Sequence, residues 1–238
     1  TTYGTGIETL SRPGRENHLG IPFRAAWLAH RYACGIVDLT KEAQERLKIS
    51  QLAKATQVCG ISNRNSLPTT ARALVAKADA SKQPLSLDEL KTVCNCCKTS
   101  EYAVALLIAE SSQVVDAARQ QLLEHQPHLI LPGGELYPEN RAEACWRDCQ
   151  QFLRVIIYGV ACDCAEITDS DGMAALRQLY ELMEVPVPAM MYALNQMRSL
   201  TAQTLETSGH IRELACLNMA FDNLIEALLP TQTLMPRS

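Results

Sequence analysis

Hydrophobic positions recur every three or four residues along most of this chain, which is the spacing of amphipathic helices. The clearest stretch is 101–124, whose apolar positions fall on one helical face: Ala103, Leu107, Val114, Ala118 and Leu122. The apolar–polar alternation that indicates strands is absent. The pattern therefore predicts an all-α protein.

Turn and capping residues divide this pattern into separate helices. Gly60 ends a polar helix predicted over Lys41–Val58, and the polar stretch Ser62–Ser66 marks our boundary between a segment 1–66 and a domain 67–238. Further helices are predicted from Pro68, from a capping box formed by Ser86 and Glu89, and over 101–124, 138–162, 173–183, 189–205 and 209–229. About eight helices joined by short turns favour a globin-like packing.

Composition and charge exclude several classes of function. The net charge is −4 without a long block of one sign, which argues against a nucleic-acid partner. No apolar run reaches the roughly 18–20 residues that a membrane-spanning helix needs. No Ser-His-Asp order, carboxylate dyad or phosphate-binding glycine loop stands out, so we do not expect an enzyme.

Ten cysteines are an unusually large number for such a chain. The groups Cys94-x-Cys96-Cys97 and Cys162-x-Cys164 lack the paired two-residue spacing of zinc knuckles, so we predict no metal site and keep structural zinc as a minor alternative. Most of the cysteines are interpreted as small apolar residues on packed helices. His125 and His128 flank a helix end, where pairing with the helix dipole is favoured over metal or haem ligation.

One helix carries a set of residues that suits covalent chemistry. Cys145, Asp148 and Phe152 stand at i, i+3 and i+7, so a thiol, a carboxylate and a ring share one face. Arg147 flanks this set, and Arg141 lies one turn earlier. A thiol can tether a linear tetrapyrrole, a carboxylate can accept from its pyrrole N–H groups, and a guanidinium can hold a propionate. From spacing alone, a small core residue beside a surface ion pair is the more common interpretation.

From about Leu67 to Pro230 the chain resembles the phycobiliproteins. The resemblance rests on motifs in the right order and spacing: Pro132-Gly133-Gly134, Tyr137, Cys145-x-Arg147-Asp148, Leu153-Arg154, Tyr158-Gly159 and Ala220-Phe221-Asp222. It implies the globin-like phycobiliprotein fold with two extra N-terminal helices, to which residues 1–66 add a further helical extension.

The resemblance also assigns roles to single residues. It implies that Cys145 attaches the bilin, that Asp148 bonds the pyrrole nitrogens and that Arg147 meets a propionate. Arg141, Phe152 and Tyr137 complete the expected cofactor-binding set, and Cys149 is a rival thiol that the motif does not select. Asp79 and Arg154 fall on a pair that bridges two subunits. Gly172 stands where some relatives carry a second attachment cysteine, so we expect one pigment.

These roles imply a light-harvesting phycobilisome subunit that binds phycocyanobilin or a related linear tetrapyrrole covalently and passes excitation energy on. Expected partners are complementary phycobiliprotein subunits and phycobilisome linkers, on the cytoplasmic or stromal face of the thylakoid membrane. Two alternatives stay open: a pigment-free structural or linker paralogue, and a globin-like sensory module.

Residues 1–66 have no counterpart in the resemblance. They combine an irregular arm over 1–22, an apolar helix over Phe23–Cys34 and the polar helix over Lys41–Val58. Such a segment is too apolar for a flexible tail and marginal as an independent fold. We expect it to dock on a protein surface, as a linker does, and we favour a neighbouring subunit over the chain's own domain.

Overall fold

The computed structural model describes residues 39–229, and this part of the chain is built from helices. Its eight α-helices are α1 Leu39–Ala55, α2 Thr69–Ser81, α3 Leu87–Cys97, α4 Glu101–His125, α5 Glu139–Cys162, α6 Ser170–Leu182, α7 Val187–Thr207 and α8 Ile211–Leu228. Short 3₁₀ turns cover Ile61–Asn63 and Pro127–Ile130. The all-α class is confirmed for the described residues, and the helix expected over Phe23–Cys34 lies outside them.

Local capping signals located several helix starts correctly. The backbone N–H of Ser86 donates to Glu89 Oε2 at 3.0 Å and that of Glu89 donates to Ser86 Oγ at 3.4 Å, which is the expected capping box. Two boundaries differ from the sequence prediction by three residues. Helix α1 ends at Ala55 because the residues after it turn to pair with another loop, and α6 begins at Ser170 because Asp169 Oδ1 accepts from the N–H of Gly172 at 2.8 Å.

Helix α5 lies at the centre of the core. Fourteen of its residues are buried, and Phe152, Tyr158 and Ile156 are among the largest fully buried side chains. It packs against α2, α3, α4, α7 and α8, while α4 also packs along α7. Burial on nearly all sides keeps α5 in a defined position, so side chains along it have fixed surroundings.

The segment between α1 and α2, residues 56–68, crosses the domain as a strap. Its backbone pairs with the loop before α6: Gly60 N–H donates to Ile167 O at 2.7 Å, and Asp169 N–H donates to Val58 O at 2.9 Å. The Arg64 guanidinium donates to Glu166 O and Thr168 O, both at 2.9 Å. These bonds fasten the strap to the domain that follows it.

The described half of the N-terminal extension therefore docks on its own chain. Helix α1 packs against α6, and the strap covers the first turn of α6 so closely that a Cβ on Gly172 would stand 2.0 Å from Gln57 O. Our preference for a neighbouring subunit needs correction for residues 39–66, because α1 packs against α6 and the strap is hydrogen-bonded to the loop before α6. Residues 1–38 lie outside the described part.

Helix α2 also buries its apolar stripe within the chain. Ala71, Val75 and Ala78 are buried in the common core. From the sequence alone, a stripe of this kind on the first helix of a domain predicts burial against a partner. The strap and α3 bring core residues to it.

Among the described residues, no helix is both long enough and apolar enough to cross a membrane.

Candidate functional site

One face of α5 meets the C-terminal end of α6, and this contact builds the candidate site. Arg141, Cys145 and Asp148 follow one another along that face at helical spacing. The Arg141 guanidinium donates to Met183 O at 3.1 Å and to Glu184 O. Arg141 therefore fastens the first turn of α5 to the turn between α6 and α7.

Cys145 lies at the middle of this face as a free thiol that is 6% exposed. Its neighbour one turn on, Cys149, is more deeply buried at 1%, and Cys149 Sγ lies 3.5 Å from Met190 Sδ on α7. Hydrogen bonding with the Cys145 thiol and burial hold the pKa of Cys149 well above its usual value. Cys149 thus stays protonated, whereas Cys145 is the thiol nearer to the surface.

Asp148 is held by a tyrosine that the sequence did not single out. The Tyr180 hydroxyl donates to Asp148 Oδ2 at 2.7 Å from the last turns of α6. Burial raises the pKa of Tyr180, and the negative charge of Asp148 raises it further, so the phenol remains a hydrogen-bond donor. No helical spacing links the two residues, which stand 32 positions apart. Only the turn motif that follows Tyr180, Leu182-x-x-Val185-Pro186, marks its neighbourhood in the sequence.

The remaining expected residues lie in different surroundings. Arg147 is exposed, and its Nε donates to Glu143 O at 3.2 Å on its own helix. Phe152 is fully buried in the core, and Tyr137 is exposed in the turn before α5. The structure therefore brings Arg141, Cys145 and Asp148 together and leaves Arg147 about 200° around the helix from Cys145.

Asp79 and Arg154 meet each other within the chain. Arg154 Nη2 lies 2.8 Å from Asp79 Oδ1, and both side chains are more than nine-tenths buried. Arg154 Nη1 also donates to the Tyr158 hydroxyl at 2.8 Å, and Gln57 Nε2 in the strap donates to Asp79 Oδ2 at 3.0 Å. A cavity of about 280 Å³ opens beside Arg154 and Gln151. A contact of this pair with another subunit stays a prediction.

At His125 the sequence favoured pairing with the helix end over metal or haem ligation. The His125 ring stacks on Tyr192 of α7 with centroids 5.2 Å apart and planes 6° apart. Within residues 39–229, no three histidine, cysteine or carboxylate side chains are grouped so that they could hold a metal ion.

Comparisons with known proteins agree with this architecture. A model of the phycobilisome protein family matches residues 73–228. The allophycocyanin subunit alpha-B of Nostoc sp. is 30% identical over 158 residues, which are 65% of this chain and 96% of that relative. The C-phycocyanin beta subunit of Mastigocladus laminosus is 30% identical over 128 residues, or 52% of this chain and 74% of that relative.

A solved structure is also similar. It is a far-red fluorescent biliprotein derived from a far-red induced allophycocyanin F subunit of Chroococcidiopsis thermalis, with 24% identity, a TM-score of 0.49, and coverage of 53% of this chain and 93% of that chain.

The matched length and the sequence identity define the class of protein. This chain belongs to the phycobilisome protein family. Membership supports a light-harvesting phycobilisome subunit as its general class, and the resemblance stated from the motifs is confirmed.

Proposed function

We propose that this protein is a phycobilisome antenna subunit that carries one linear tetrapyrrole, phycocyanobilin or a related bilin, on Cys145. The observation that carries the proposal is the shared face of α5, where a free thiol and a carboxylate lie three residues apart next to a buried tyrosine. The named relatives are allophycocyanin and phycocyanin subunits, and a structural neighbour is a biliprotein.

The donor set fits a cationic tetrapyrrole. A bound bilin supplies the absorption of visible light, and the protein holds it in one conformation. Cys145 sulfur would bond to one carbon of a vinyl-type side chain, with the thiol proton ending on the adjacent carbon. Asp148 would accept from pyrrole N–H groups, and Tyr180 orients that carboxylate through the 2.7 Å hydrogen bond.

The arginines would act at the edges of this site. Arg147 is exposed and can swing toward a propionate as a two-pronged donor. Arg141 donates to two backbone carbonyls in the turn after α6. Its contribution is to fix the C-terminal end of α6, which carries Tyr180. Phe152 supports α5 from the core, and Tyr137 lies at the entrance to the helix.

Assembly with complementary phycobiliprotein subunits, in phycobilisomes at the thylakoid surface, follows from the same family membership. A linker function for the N-terminal extension rests on residues 1–38, since the described half of the extension is bound to its own domain. A pigment-free structural subunit is the second candidate function. It is favoured by the burial of Cys145 at 6% exposure and by the engagement of Arg141 with backbone carbonyls.

The presence or absence of a covalently attached pigment distinguishes the two candidate functions. The protein is purified from cells that make linear tetrapyrroles, and zinc-enhanced fluorescence of the denatured band reports a covalently attached bilin. We expect a fluorescent band for the wild type and for Cys149→Ala, and its loss in Cys145→Ala, because Cys149 keeps its proton and lies deeper. A dark wild-type band with an unmodified Cys145 peptide would establish the pigment-free alternative.

A further inference from the structure

Two cysteines end neighbouring helices. Cys97 is the last residue of α3 and Cys162 is the last residue of α5. Each is followed by a helix cap in the left-handed conformation, Lys98 with φ 59° and Asp163 with φ 50°. The two helix ends therefore share the same local geometry.

Three contacts hold these ends side by side. Thr99 Oγ1 donates to Ala161 O at 2.8 Å. Arg212 donates to Lys98 O at 2.7 Å and also to the Asp163 carboxylate, so one side chain joins both caps. The residues that follow Cys97 and those on either side of Cys162 are thus held together by bonds that do not involve sulfur.

The other cysteines of this region have partners of their own. Cys164 Sγ donates to Glu166 O at 3.6 Å, and Cys216 Sγ donates to Gly159 O at 3.7 Å. Cys94 is hydrogen-bonded with Thr99. Cys97 and Cys162 instead stand at the two joined helix ends, close enough for hydrogen bonding between the thiols to shift the pKa of each. Their position at the joined helix ends therefore singles out this pair of thiols.

The two thiols differ in exposure and acidity. Cys97 is half-buried, whereas Cys162 is 1% exposed. The hydrogen bond from Cys162 lowers the pKa of Cys97, and the same bond together with burial raises the pKa of Cys162. Cys97 is therefore the attacking thiol, because it combines access from solvent with the larger fraction of thiolate.

We propose that Cys97 and Cys162 form a redox-active pair whose intrachain disulfide ties the C-terminal end of α3 to that of α5. The oxidant class is a small disulfide such as oxidised glutathione. Cys97 thiolate attacks one sulfur of this disulfide and expels the first small thiolate. Cys162 then gives up its proton and attacks Cys97 sulfur, which expels the second. Two protein thiols are oxidised, one small disulfide is reduced to two thiols, and the protons go to the leaving groups.

The pair can be tested on the full-length protein without any pigment. The reduced protein is equilibrated in glutathione buffers of increasing oxidised fraction, free thiols are blocked with N-ethylmaleimide, and a tryptic digest is examined under non-reducing conditions. Trypsin places Cys97 in peptide 92–98, which also contains Cys94 and Cys96, and Cys162 in peptide 155–177, which also contains Cys164. We expect these two peptides to be joined, with a loss of two free thiols per chain.

Matched serine variants assign the sulfur atoms. Cys97→Ser and Cys162→Ser should abolish the cross-link, whereas Cys96→Ser and Cys164→Ser should retain it. Circular dichroism checks that each variant folds, and fragmentation of the wild-type cross-link identifies its cysteines independently. Mixed disulfide with glutathione on the exposed Cys96 alone, dimers linked through Cys96, or an uncrosslinked wild type would each overturn the proposal. This inference does not depend on the proposed attachment of a bilin.

Discussion

Two buried or half-buried carboxylates at helix α5, Asp79 and Asp148, differ in the side chains to which they are hydrogen-bonded. Asp79 comes from α2, is 7% exposed and pairs with the Arg154 guanidinium at 2.8 Å. Asp148 belongs to α5 itself, is half-buried and accepts from the Tyr180 phenol at 2.7 Å. A guanidinium neutralises the charge of a carboxylate, while a phenol contributes a hydrogen bond and no charge.

The difference separates a structural network from a candidate binding site. Asp79 accepts from Gln57 of the strap and pairs with Arg154 of α5 and with Lys82, so the buried charge is paired and hydrogen-bonded within the chain. Beside Asp148 lies the Cys145 thiol on the same helical face. A carboxylate whose orientation is fixed by the Tyr180 hydroxyl beside a thiol suits a site for a cationic ligand.

The largest effect is expected from breaking the Asp79 network. Arg154→Met removes the nearer and more deeply buried of the two cations that pair with Asp79 and leaves Lys82 at 3.4 Å, and breaking a buried pair costs up to about 3–5 kcal/mol. Urea unfolding followed by circular dichroism measures the loss. The double variant Asp79→Asn with Arg154→Met removes the charge and should recover much of it. A single variant as stable as the wild type would contradict a stabilising pair of these residues within the chain.

The contact between the strap, which supplies Gln57, and α6 can be disturbed by a substitution in α6. Gly172→Ala introduces a Cβ that would stand 2.0 Å from Gln57 O, and overpacking of this kind costs about 1–3 kcal/mol. The exposed helix position Gln178 offers a control, Gln178→Ala, which should change little. Hydrogen exchange over residues 56–62 should rise only in the Gly172 variant. Unchanged protection there would contradict the docking of the strap on α6.

A smaller effect is expected at the candidate site. Tyr180→Phe removes the hydrogen bond to Asp148 and keeps the ring, so the free energy of unfolding should fall by about 1–2 kcal/mol. Tyr192→Phe is the matched control, because Tyr192 contacts His125 through its ring. In pigmented protein, only the Tyr180 variant should alter the red absorption. Identical spectra in both variants would separate Tyr180 from the pigment.

The smallest effect concerns the exposed ion pair that joins α2 to α3. Lys77 Nζ lies 2.7 Å from Glu89 Oε1, and this hydrogen bond, with those from Ser86, lowers the pKa of Glu89 from 4.5 to about 2. The depressed pKa stabilises the fold above about pH 4.5, and this contribution is lost as the pH falls toward 2.

Glu89→Gln should therefore reduce the dependence of the urea midpoint on pH between about 5 and 2.5. The change should be small, because an exposed ion pair contributes little to stability. Asp88→Asn, which alters the neighbouring carboxylate outside the capping box, should leave this segment of the curve steep. Equal slopes for Glu89→Gln and the wild type would show that the box contributes nothing in solution.

Local signals in the sequence were sufficient for most of the helices. The periodic apolar face of α4 and the capping box of α3 depend on residues three or four apart, and the structure reproduces both. The end of α1 was misplaced by three residues because it depends on hydrogen bonds between Val58 and Asp169, which are distant in the chain. The thiol and carboxylate of the candidate site share a helix, so their common face was readable from spacing.

By itself the sequence determined the helical class, the face of α5 that joins Cys145 to Asp148, and the resemblance to the phycobilisome protein family. The tertiary structure alone decided that Tyr180 orients Asp148, that Asp79 pairs with Arg154 in the same chain, and that the helix ends carrying Cys97 and Cys162 lie side by side. These partners belong to different helices. Which side chains of two helices meet depends on crossing angles and on the packing of the whole core, and no periodic pattern within one helix encodes those quantities.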